Sequence, residues 1–480
     1  MSDNTDGRTV GGSGRAGALG LLCVAHLLIA MDFTIVFVAL PVLGGDLGLT
    51  DRELTYVTAT YGLTFAAFLL LGGRAADLFG RRGVLLAGLA IFAVASVVAV
   101  LGTPAALLVG RGLQGAAAGV LTPAAQALLT TLHPEGPRRN RALSWWGITG
   151  AGGLALGGPV GGVLTEAFGW QSVMLINVPV GLGCLLWALR AIRPDRADRA
   201  RPRRRFHLPS VLIAGAGLGL LVWTVAEAAV APVADTALRS AAVVVLLAVF
   251  VLLERRSTDP VIHTELLRAR PVAAADLMSV FFGATLGGQF FAITLYLQQV
   301  AGLSALLAGL AFIPVTLFMV VGNTTGAALL GRIGITRTLL LGIGVAAVAE
   351  LALAFLPTSG GLFTHLVPAM AVLGFGQGVA FVAITVAATA SVAEHQQGVA
   401  SSLLNVGMNV GQSIGPAVLA AIVTWRSAAA LDAGAGAVEA TNRGLHGAFF
   451  AITAIALLGL LVCGLLLRGG ARAAQPVGRG

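Results

Sequence analysis

Residues 31–41 read MDFTIVFVALP and close an apolar run of 25 residues, 17–41, whose only acidic, basic or imidazole side chains are His26 and Asp32. A run of that length can cross a bilayer as a helix. A carboxylate inside it is costly to bury, so Asp32 marks a functional position. The rest of the chain has the same character. It is 57% hydrophobic and 11% charged over 480 residues, with a mean hydropathy of +0.91. That profile excludes a soluble globular class and fits a polytopic membrane protein. The net charge of +9 would suit a nucleic-acid binder. The basic residues, however, sit in short loops between apolar spans, so nucleic acid is excluded as a partner.

Fourteen runs follow one another: 17–41, 54–73, 83–101, 105–131, 143–165, 172–191, 209–230, 238–253, 272–295, 305–330, 338–356, 364–392, 397–425 and 446–467. Each is predicted to span as a helix. The first is too long for a signal-peptide core and is expected to remain as a span. All 30 basic residues are Arg, which with the high Ala and Gly content points to a GC-rich bacterial genome. Twenty-five of them fall in the two tails and the even-numbered loops; only Arg52, Arg239, Arg426 and Arg443 fall on the opposite side, and Arg111 lies within a span. The positive-inside rule then puts both termini in the cytoplasm of a multi-pass protein of the bacterial inner membrane. The largest cluster, RPDRADRARPRRRFH at 193–207, reads as a topology-fixing linker, with a lipid-head-group or partner site as the alternative. Cys23, Cys184 and Cys463 all lie in apolar runs and form no disulfide or zinc pattern, so no metal and no cofactor is expected.

The chain repeats itself weakly. GGLALGGPVGG (152–162) in run 5 has Gly153, Gly157 and Gly161 at four-residue spacing; GMNVGQSIGP (407–416) in run 13 has Gly407, Gly411 and Gly415. Gly158-Pro159 falls on Gly415-Pro416 at an offset of 257. FGRRGVLLAGLA (79–90) falls on IGITRTLLLGIG (333–344) at 254, and RGLQG (111–115) on GFGQG (374–378) at 263. Two six-helix halves are therefore expected at 17–192 and 272–468. An extra helix pair at 209–254 lies between linkers 193–208 and 255–271, with tails at 1–16 and 469–480. Duplicated halves point to a transporter with its site near the midplane. Glycine every fourth residue also serves plain close packing, and the mid-helix prolines add a point of bending.

Four motifs carry a resemblance to the major facilitator superfamily, and more narrowly to its 14-helix drug:proton antiporter subfamily, over most of the chain. MDFTIVFVALP is similar to that subfamily's first-helix signature, usually Leu-Asp-x-Thr-Ile-Val-Asn-Val-Ala-Leu-Pro. GGRAADLFGRR (72–82) resembles the superfamily's loop 2–3 motif, with Gly73, Asp77, Gly80, Arg81 and Arg82 in place. RGLQGAAAG (111–119) resembles its helix 4 motif; GPVGG (158–162), running on into WQSVMLINVPVG (170–181), resembles the antiporter motif of helix 5. The implied fold is all-α, two six-helix bundles plus two extra helices. The chain departs from the pattern at Met31 and at Phe37, which stands where relatives have Asn. It also has Gly331 where a second Asp77 would align, and Gly374 where a second Arg111 would align.

Asp32 lies nine residues below Pro41, roughly 13 Å at 1.5 Å per residue, and Arg111 six residues into its run, roughly 9 Å. The two are expected to meet, turned toward an interior cavity. Burial favours a neutral carboxyl and a nearby cation favours its anion, so Asp32 is the expected proton carrier and Arg111 its partner. By resemblance, Asp77 and Arg81 form a charge latch on the cytoplasmic side, with Gly73, Gly80 and Arg82 in the same loop. Gly158, Pro159, Gly415 and Pro416 are the expected gating positions. The expected substrate pocket takes Asp32, Phe37, Tyr61, Gln114, Gln289, Phe290, Tyr296, Gln298, Asn405 and Asn409, with Gln412 near; aromatic faces, amides and one acid suit amphipathic, often cationic, compounds. Glu227 and Glu350 read as peripheral packing groups, Asp276 as a partner of a helix start, and His26 as lying on a different helix face from Asp32. No nucleophile–base set, phosphate loop or selectivity filter is present, so an enzyme or a channel is not expected. The resulting expectation is a monomeric, proton-gradient-driven antiporter that exports drugs or antibiotics. A symporter or a narrow-substrate exporter of the same fold is the alternative.

Overall fold

A computed structural model describes residues 12–133, 137–192, 208–227, 231–256, 270–389, 392 and 397–471. Most of the tails, and nearly all of the expected linkers at 193–208 and 255–271, lie outside the described residues; residues 12–16 and 469–471 of the expected tails are helical and belong to the first and last helices. All regular structure among the described residues is helical. In chain order the helices are α1 (Gly12–Leu47), α2 (Asp51–Phe79), α3 (Arg81–Val98), α4 (Pro104–Leu132), α5 (Pro137–Phe168), α6 (Gln171–Leu175) and α7 (Asn177–Ala191). There follow α8 (Leu208–Glu227), α9 (Val233–Arg256), α10 (Arg270–Leu295), α11 (Ala305–Leu310), α12 (Ile313–Leu353), α13 (Val367–Thr389), α14 (Gln397–Asp432) and α15 (Ala437–Ala471). A π-turn, Tyr296–Val300, prolongs α10, and another, Leu362–Leu366, opens α13.

Ten helices among the described residues are long and apolar enough to cross a membrane, and one of them, Ala305–Leu353, carries two spans. Its break is at Gly334, whose φ of 78° is left-handed backbone that favours glycine. With α2, α5 and α8 the segments fill the fourteen expected runs. α5 bends by 42° between Leu154 and Leu156. The cause is Pro159, which has no N–H for the Ala155 carbonyl. In the same way Pro179 leaves the Leu175 carbonyl without its helical donor, and the sixth span is split into α6 and α7 at Ile176. The first span does not end at Pro41: α1 carries that proline inside it and runs on to Leu47. Burial of the Pro41 region against neighbouring helices makes the single lost bond tolerable.

The two halves are packed alike. A β-carbon at Gly153 would stand 2.5 Å from the Leu27 carbonyl oxygen, and one at Gly161 2.6 Å from that of Ile35. Gly157 lies between them against Thr34 and Met31, so α5 lies directly on α1. Gly407, Gly411 and Gly415 lay α14 on α10 in the same manner, against Asp276, Val280 and Ala284. Gly115 and Gly119 of α4 meet the Tyr61 and Phe65 carbonyls of α2; Gly374 and Gly378 of α13 meet those of Val315 and Met319 in α12. These contacts correct the offsets read from the motifs. Gly115 corresponds to Gly374, an offset of 259 rather than 263, so Met370, not Gly374, holds the place of Arg111. The turns at Gly48 and Gly302, with φ of 66° and 65°, set α1 on α10 at 253 before the residue that the π-turn inserts. Gly157 on Met31 therefore corresponds to Gly415 on Ala284 at an offset of 258, and Pro159 and Pro416 are one residue out of register. Glycines at four-residue spacing look the same after a slip of one turn, so the motif alone could not fix the alignment.

The bundles join along two seams, α5 with α11 and α2 with α14. Gly158 faces Gly309 and Phe312 across the first; the backbone N–H of Leu306 donates to the Glu166 carboxylate at 3.1 Å. Gln298 donates from α10 to the Val38 carbonyl of α1 at 2.8 Å. These contacts lie toward the Arg-poor ends of the helices. α8 packs on both α2 and α14 and so bridges the second seam, while α9 packs on α8. Leu218 and Val225 of α8 rest on the Ala59, Leu63 and Ala417 cluster.

Candidate functional site

The centre of the first bundle is a buried polar network. Asp32 and Arg111 are 0% and 1% exposed and form an ion pair, Nη1 to Oδ2, of 2.9 Å. α1 and α4 bring them to the same depth. The same Nη1 donates to Gln114 Oε1 at 3.0 Å, and Arg111 Nε donates to the Val57 carbonyl of α2 at 3.3 Å. The guanidinium lies 4.3 Å from the centroid of the Tyr61 ring, a cation–π contact. Gln114 Nε2 donates to Ser96 Oγ of α3 at 2.8 Å, and Ser96 donates to the Phe92 carbonyl at 2.8 Å. On the other side, Asn177 Nδ2 donates to Asp32 Oδ1. Asn177 is the first residue of α7, and the break that Pro179 imposes brings its side chain in. Its own amide oxygen is buried without a hydrogen-bond partner.

Five helices thus contribute to one chain of bonds. Asn177 and Ser96 were not singled out from the sequence. An amide or a hydroxyl in an apolar run carries no signal by itself, and Asn177 is one residue of a motif whose Gly and Pro draw the attention. The expected meeting of Asp32 and Arg111 is direct, but neither side chain opens onto a cavity: the pair is sealed within the first bundle. Buried pairs are expensive to desolvate and are tolerated when every partner is satisfied. Here Arg111 has three acceptors and an aromatic face.

An aromatic column leads away from the pair. Phe33 meets Phe37 edge-on with centroids 5.7 Å apart, Phe37 stacks on Phe290 of the second bundle at 5.8 Å, and Phe290 stacks on Phe312 at 5.0 Å. Phe37 and Phe290 of the expected pocket therefore do come together at the bundle interface, whereas Tyr61 joins the column only through Phe33, at 6.3 Å within the first bundle. The amides are committed elsewhere. Gln114 serves Arg111, Gln298 ties the bundles, and Gln289 exchanges two bonds with Gln377, at 2.7 and 3.1 Å. Asn409 donates to the Asn405 carbonyl one turn away. Tyr296 stands apart from the column, its hydroxyl donating to the Pro357 carbonyl at 2.7 Å. His26 stacks on Trp146 at 3.8 Å and bonds its carbonyl, away from Asp32.

Of the gating candidates, Arg81 bonds to the Ala127 carbonyl and to Thr131, and Arg82 to the Leu189 carbonyl. Those bonds lie within the first bundle. Gly80, with φ 90°, makes the turn between α2 and α3; Gly73, expected in the same loop, lies seven residues earlier inside α2 and is half-buried. The Asp77 side chain lies outside the described residues. Gly158 lies on the bundle seam, whereas Gly415 and Pro416 lie in the α14 stripe of the second bundle. Among the described residues no group of His, Cys, Asp and Glu could hold a metal ion. A cavity of about 330 Å³ runs between α2 and α8, lined by Tyr56, Thr60, Leu63, Phe68, Gly215 and Trp223 among others; at one end Tyr56 donates to Glu227 at 2.9 Å. Glu227 is thus bound to a neighbouring helix. None of the expected pocket residues lines this cavity.

Residues 22–416 match the Major Facilitator Superfamily. The chain is 34% identical over 469 residues to the puromycin resistance protein pur8 of Streptomyces alboniger, covering 96% of this chain and 93% of that one. It is 38% identical to the cephamycin export protein CmcT of Amycolatopsis lactamdurans, covering 86% of each. A solved bacterial homologue of the human lysosomal transporter Spinster superposes with a TM-score of 0.71 at 16% identity, over 98% of this chain and 100% of that chain. That last likeness is one of fold.

Proposed function

The chain belongs to the major facilitator superfamily, and on that footing we propose that this multi-pass transporter exports amphipathic antibiotics from the bacterial cytoplasm in exchange for protons, as a monomer. The observation that carries the reading is the Asp32–Arg111 pair, buried where a charge is tolerated only for use. Export is supported by the relatives, whose names state resistance to puromycin and export of a cephamycin.

The network suits a carboxyl that changes charge. As an anion, Asp32 takes bonds from Arg111 and Asn177. As a neutral acid it loses the ion pair. Arg111 then still has Gln114, the Val57 carbonyl and the Tyr61 ring. Asn177, with its amide turned over, accepts from the acid through the oxygen that now lacks a partner. Both charge states are therefore provided for. The Arg-rich side is cytoplasmic in this reading, so the seam contacts at Glu166, Gln298 and Gly158 close the molecule toward the outside. A proton arriving from outside reaches Asp32 when these seams open, and leaves to the cytoplasm after they close. A membrane potential of about 100 mV supplies about 2.3 kcal/mol for each charge moved inward. Gly73, Asp77, Gly80, Arg81 and Arg82 belong to the cytoplasmic end that moves, and Phe37, Tyr61 and Phe290 offer the substrate an aromatic face.

The test is puromycin accumulation in efflux-deficient bacteria producing the protein. Lower accumulation than in the empty host, restored by a protonophore, is the expected result. Higher accumulation would mean symport into the cell, and export indifferent to a protonophore would end the proton reading.

A further inference from the structure

We propose that Glu350 is a second proton-binding site, placed in the second bundle where the first bundle has its Asp32 network. The proposal extends the proton-exchange reading and rests on it for its part in transport. Three observations carry it. Glu350 lies on α12, 1% exposed, and its Oε2 is buried with no hydrogen-bond partner. It lies in the last turn of α12 yet stays buried, where a peripheral packing group would snorkel into solvent. It faces a small internal cavity of about 10 Å³ shared with Met278, Phe281 and Thr285 of α10, Gln377 of α13 and Ala456 of α15. That is about the room of one water molecule.

The packing supplies the third observation. Gly88 of α3 rests on Ala117 and Leu121 of α4, and Gly342 of α12 rests on Gly376 and Ala380 of α13. This sets α3 on α12 at an offset of 254, so that Glu350 occupies the position of Ser96. Ser96 is the end of the Asp32–Arg111–Gln114 chain. The carbonyls of Leu27 and Met31 under the α5 stripe correspond to those of Val280 and Ala284 under the α14 stripe, an offset of 253 that the matching turns at Gly48 and Gly302 and the one residue inserted by the π-turn fix. Thr285 therefore fills the place of Asp32, and Thr285 lines the Glu350 cavity. The second bundle keeps one carboxyl at its centre, moved from its first helix to its third.

The surroundings decide the charge state. Met370 holds the place of Arg111, and no other residue lining the cavity is titratable or cationic. The titratable groups of the packed helices lie elsewhere along them. Asp276 and Cys463 are toward the Arg-rich ends of α10 and α15; His446 is toward the other end of α15, bonded to the Leu356 carbonyl at 2.8 Å. A lone carboxylate in such a place is prohibitive, so Glu350 rests as the neutral acid. The two bundles then hold opposite states, an anion paired with Arg in one and a loaded acid in the other. Glu350 can give up its proton only when its cavity takes in water, which ties release to rearrangement of the second bundle. Gln377, on the cavity wall, is locked to Gln289, beside Phe290 at the bundle interface.

Infrared difference spectra of the purified full chain, taken between acid and alkaline pH without substrate, test this directly. A buried neutral-carboxyl band that is lost on alkalinisation, is missing in Glu350→Gln and returns shifted in Glu350→Asp is the expected result. Glu350→Gln is close in shape and charge to the neutral acid, so folding is not at stake. A band that persists at every pH, or a spectrum unchanged by Glu350→Gln, overturns the proposal. In proteoliposomes carrying puromycin, Glu350→Gln should lower the protons moved per puromycin by about half. An unchanged ratio in a protein that does couple protons contradicts the transport role of Glu350 alone. Absence of any coupling in the wild type contradicts the proposed function instead, and the spectra still decide whether Glu350 binds and releases a proton.

Discussion

Asp32 is held by two donors of different kinds, and they are expected to respond differently to substitution. Arg111→Ala removes the cation and would leave a buried anion unpaired, a loss of about 3–5 kcal/mol unless Asp32 takes up a proton. The variant should fold with a neutral Asp32 and transport at background level. Arg111→Lys should recover little, because an ammonium cannot serve Asp32, Gln114 and the Val57 carbonyl with the geometry of a guanidinium. Asn177→Ala removes one bond of about 1.5 kcal/mol and should slow turnover by roughly tenfold. Initial rates of puromycin uptake into inside-out vesicles, at matched protein levels, check all three; wild-type rates in Arg111→Ala would remove the pair from the mechanism. Asp32 and Arg111 were legible in the sequence because a charge in an apolar run is conspicuous. Their direct contact followed from equal depth. Asn177 and Ser96 were not legible, since nothing in an amide or a hydroxyl says which neighbour it faces. Glu350 read as peripheral because sequence gives a run its order in the chain, not its place in the bundle.

The helices meet through glycine, and a side chain there has nowhere to go. Gly157 lies against Thr34 and Met31, two and one residues from Asp32. Gly157→Leu forces α5 off α1, an overpacking cost of about 1–3 kcal/mol or more, and should lower the apparent unfolding temperature in detergent by several degrees. A β-carbon at Gly152, five residues earlier, meets nothing within 4 Å, so Gly152→Leu should leave it unchanged. Equal unfolding temperatures in the two variants would contradict the packing described. The helices themselves were readable from the fourteen runs, and their breaks only partly. Pro159 bends α5 as its chemistry requires, but Pro41 is carried through α1, because tertiary packing decides whether one missing bond is fatal. The repeat was visible, yet its register was not: four-residue glycine spacing hides a shift of one turn, and the left-handed glycines at the helix ends, Gly48 with Gly302 and Gly80 with Gly334, fix which residues correspond.

The two bundles touch through few polar bonds, so closure toward the Arg-poor side is adjustable. The Glu166 carboxylate that accepts from Leu306 N–H is exposed, so this charged hydrogen bond contributes about 0.5–1 kcal/mol. Glu166→Ala should lower the closed-to-open ratio by roughly two- to fivefold. Spin labels at Asp46 and Asp432, both exposed on that side, should report a longer separation in the variant; an unchanged distance distribution would contradict the role of this seam. α8 rests on both bundles and must slide when they rock, which gives the extra helix pair a mechanical place in the fold. Proton exchange at Asp32 is the central claim for the molecule as a whole, and pH-gradient collapse in inside-out vesicles on addition of puromycin tests it most directly. Wild type should release protons from the acidified lumen when puromycin is added, and Asp32→Asn at equal expression should not. Equal release by both would contradict the account and move the exchanged proton away from Asp32.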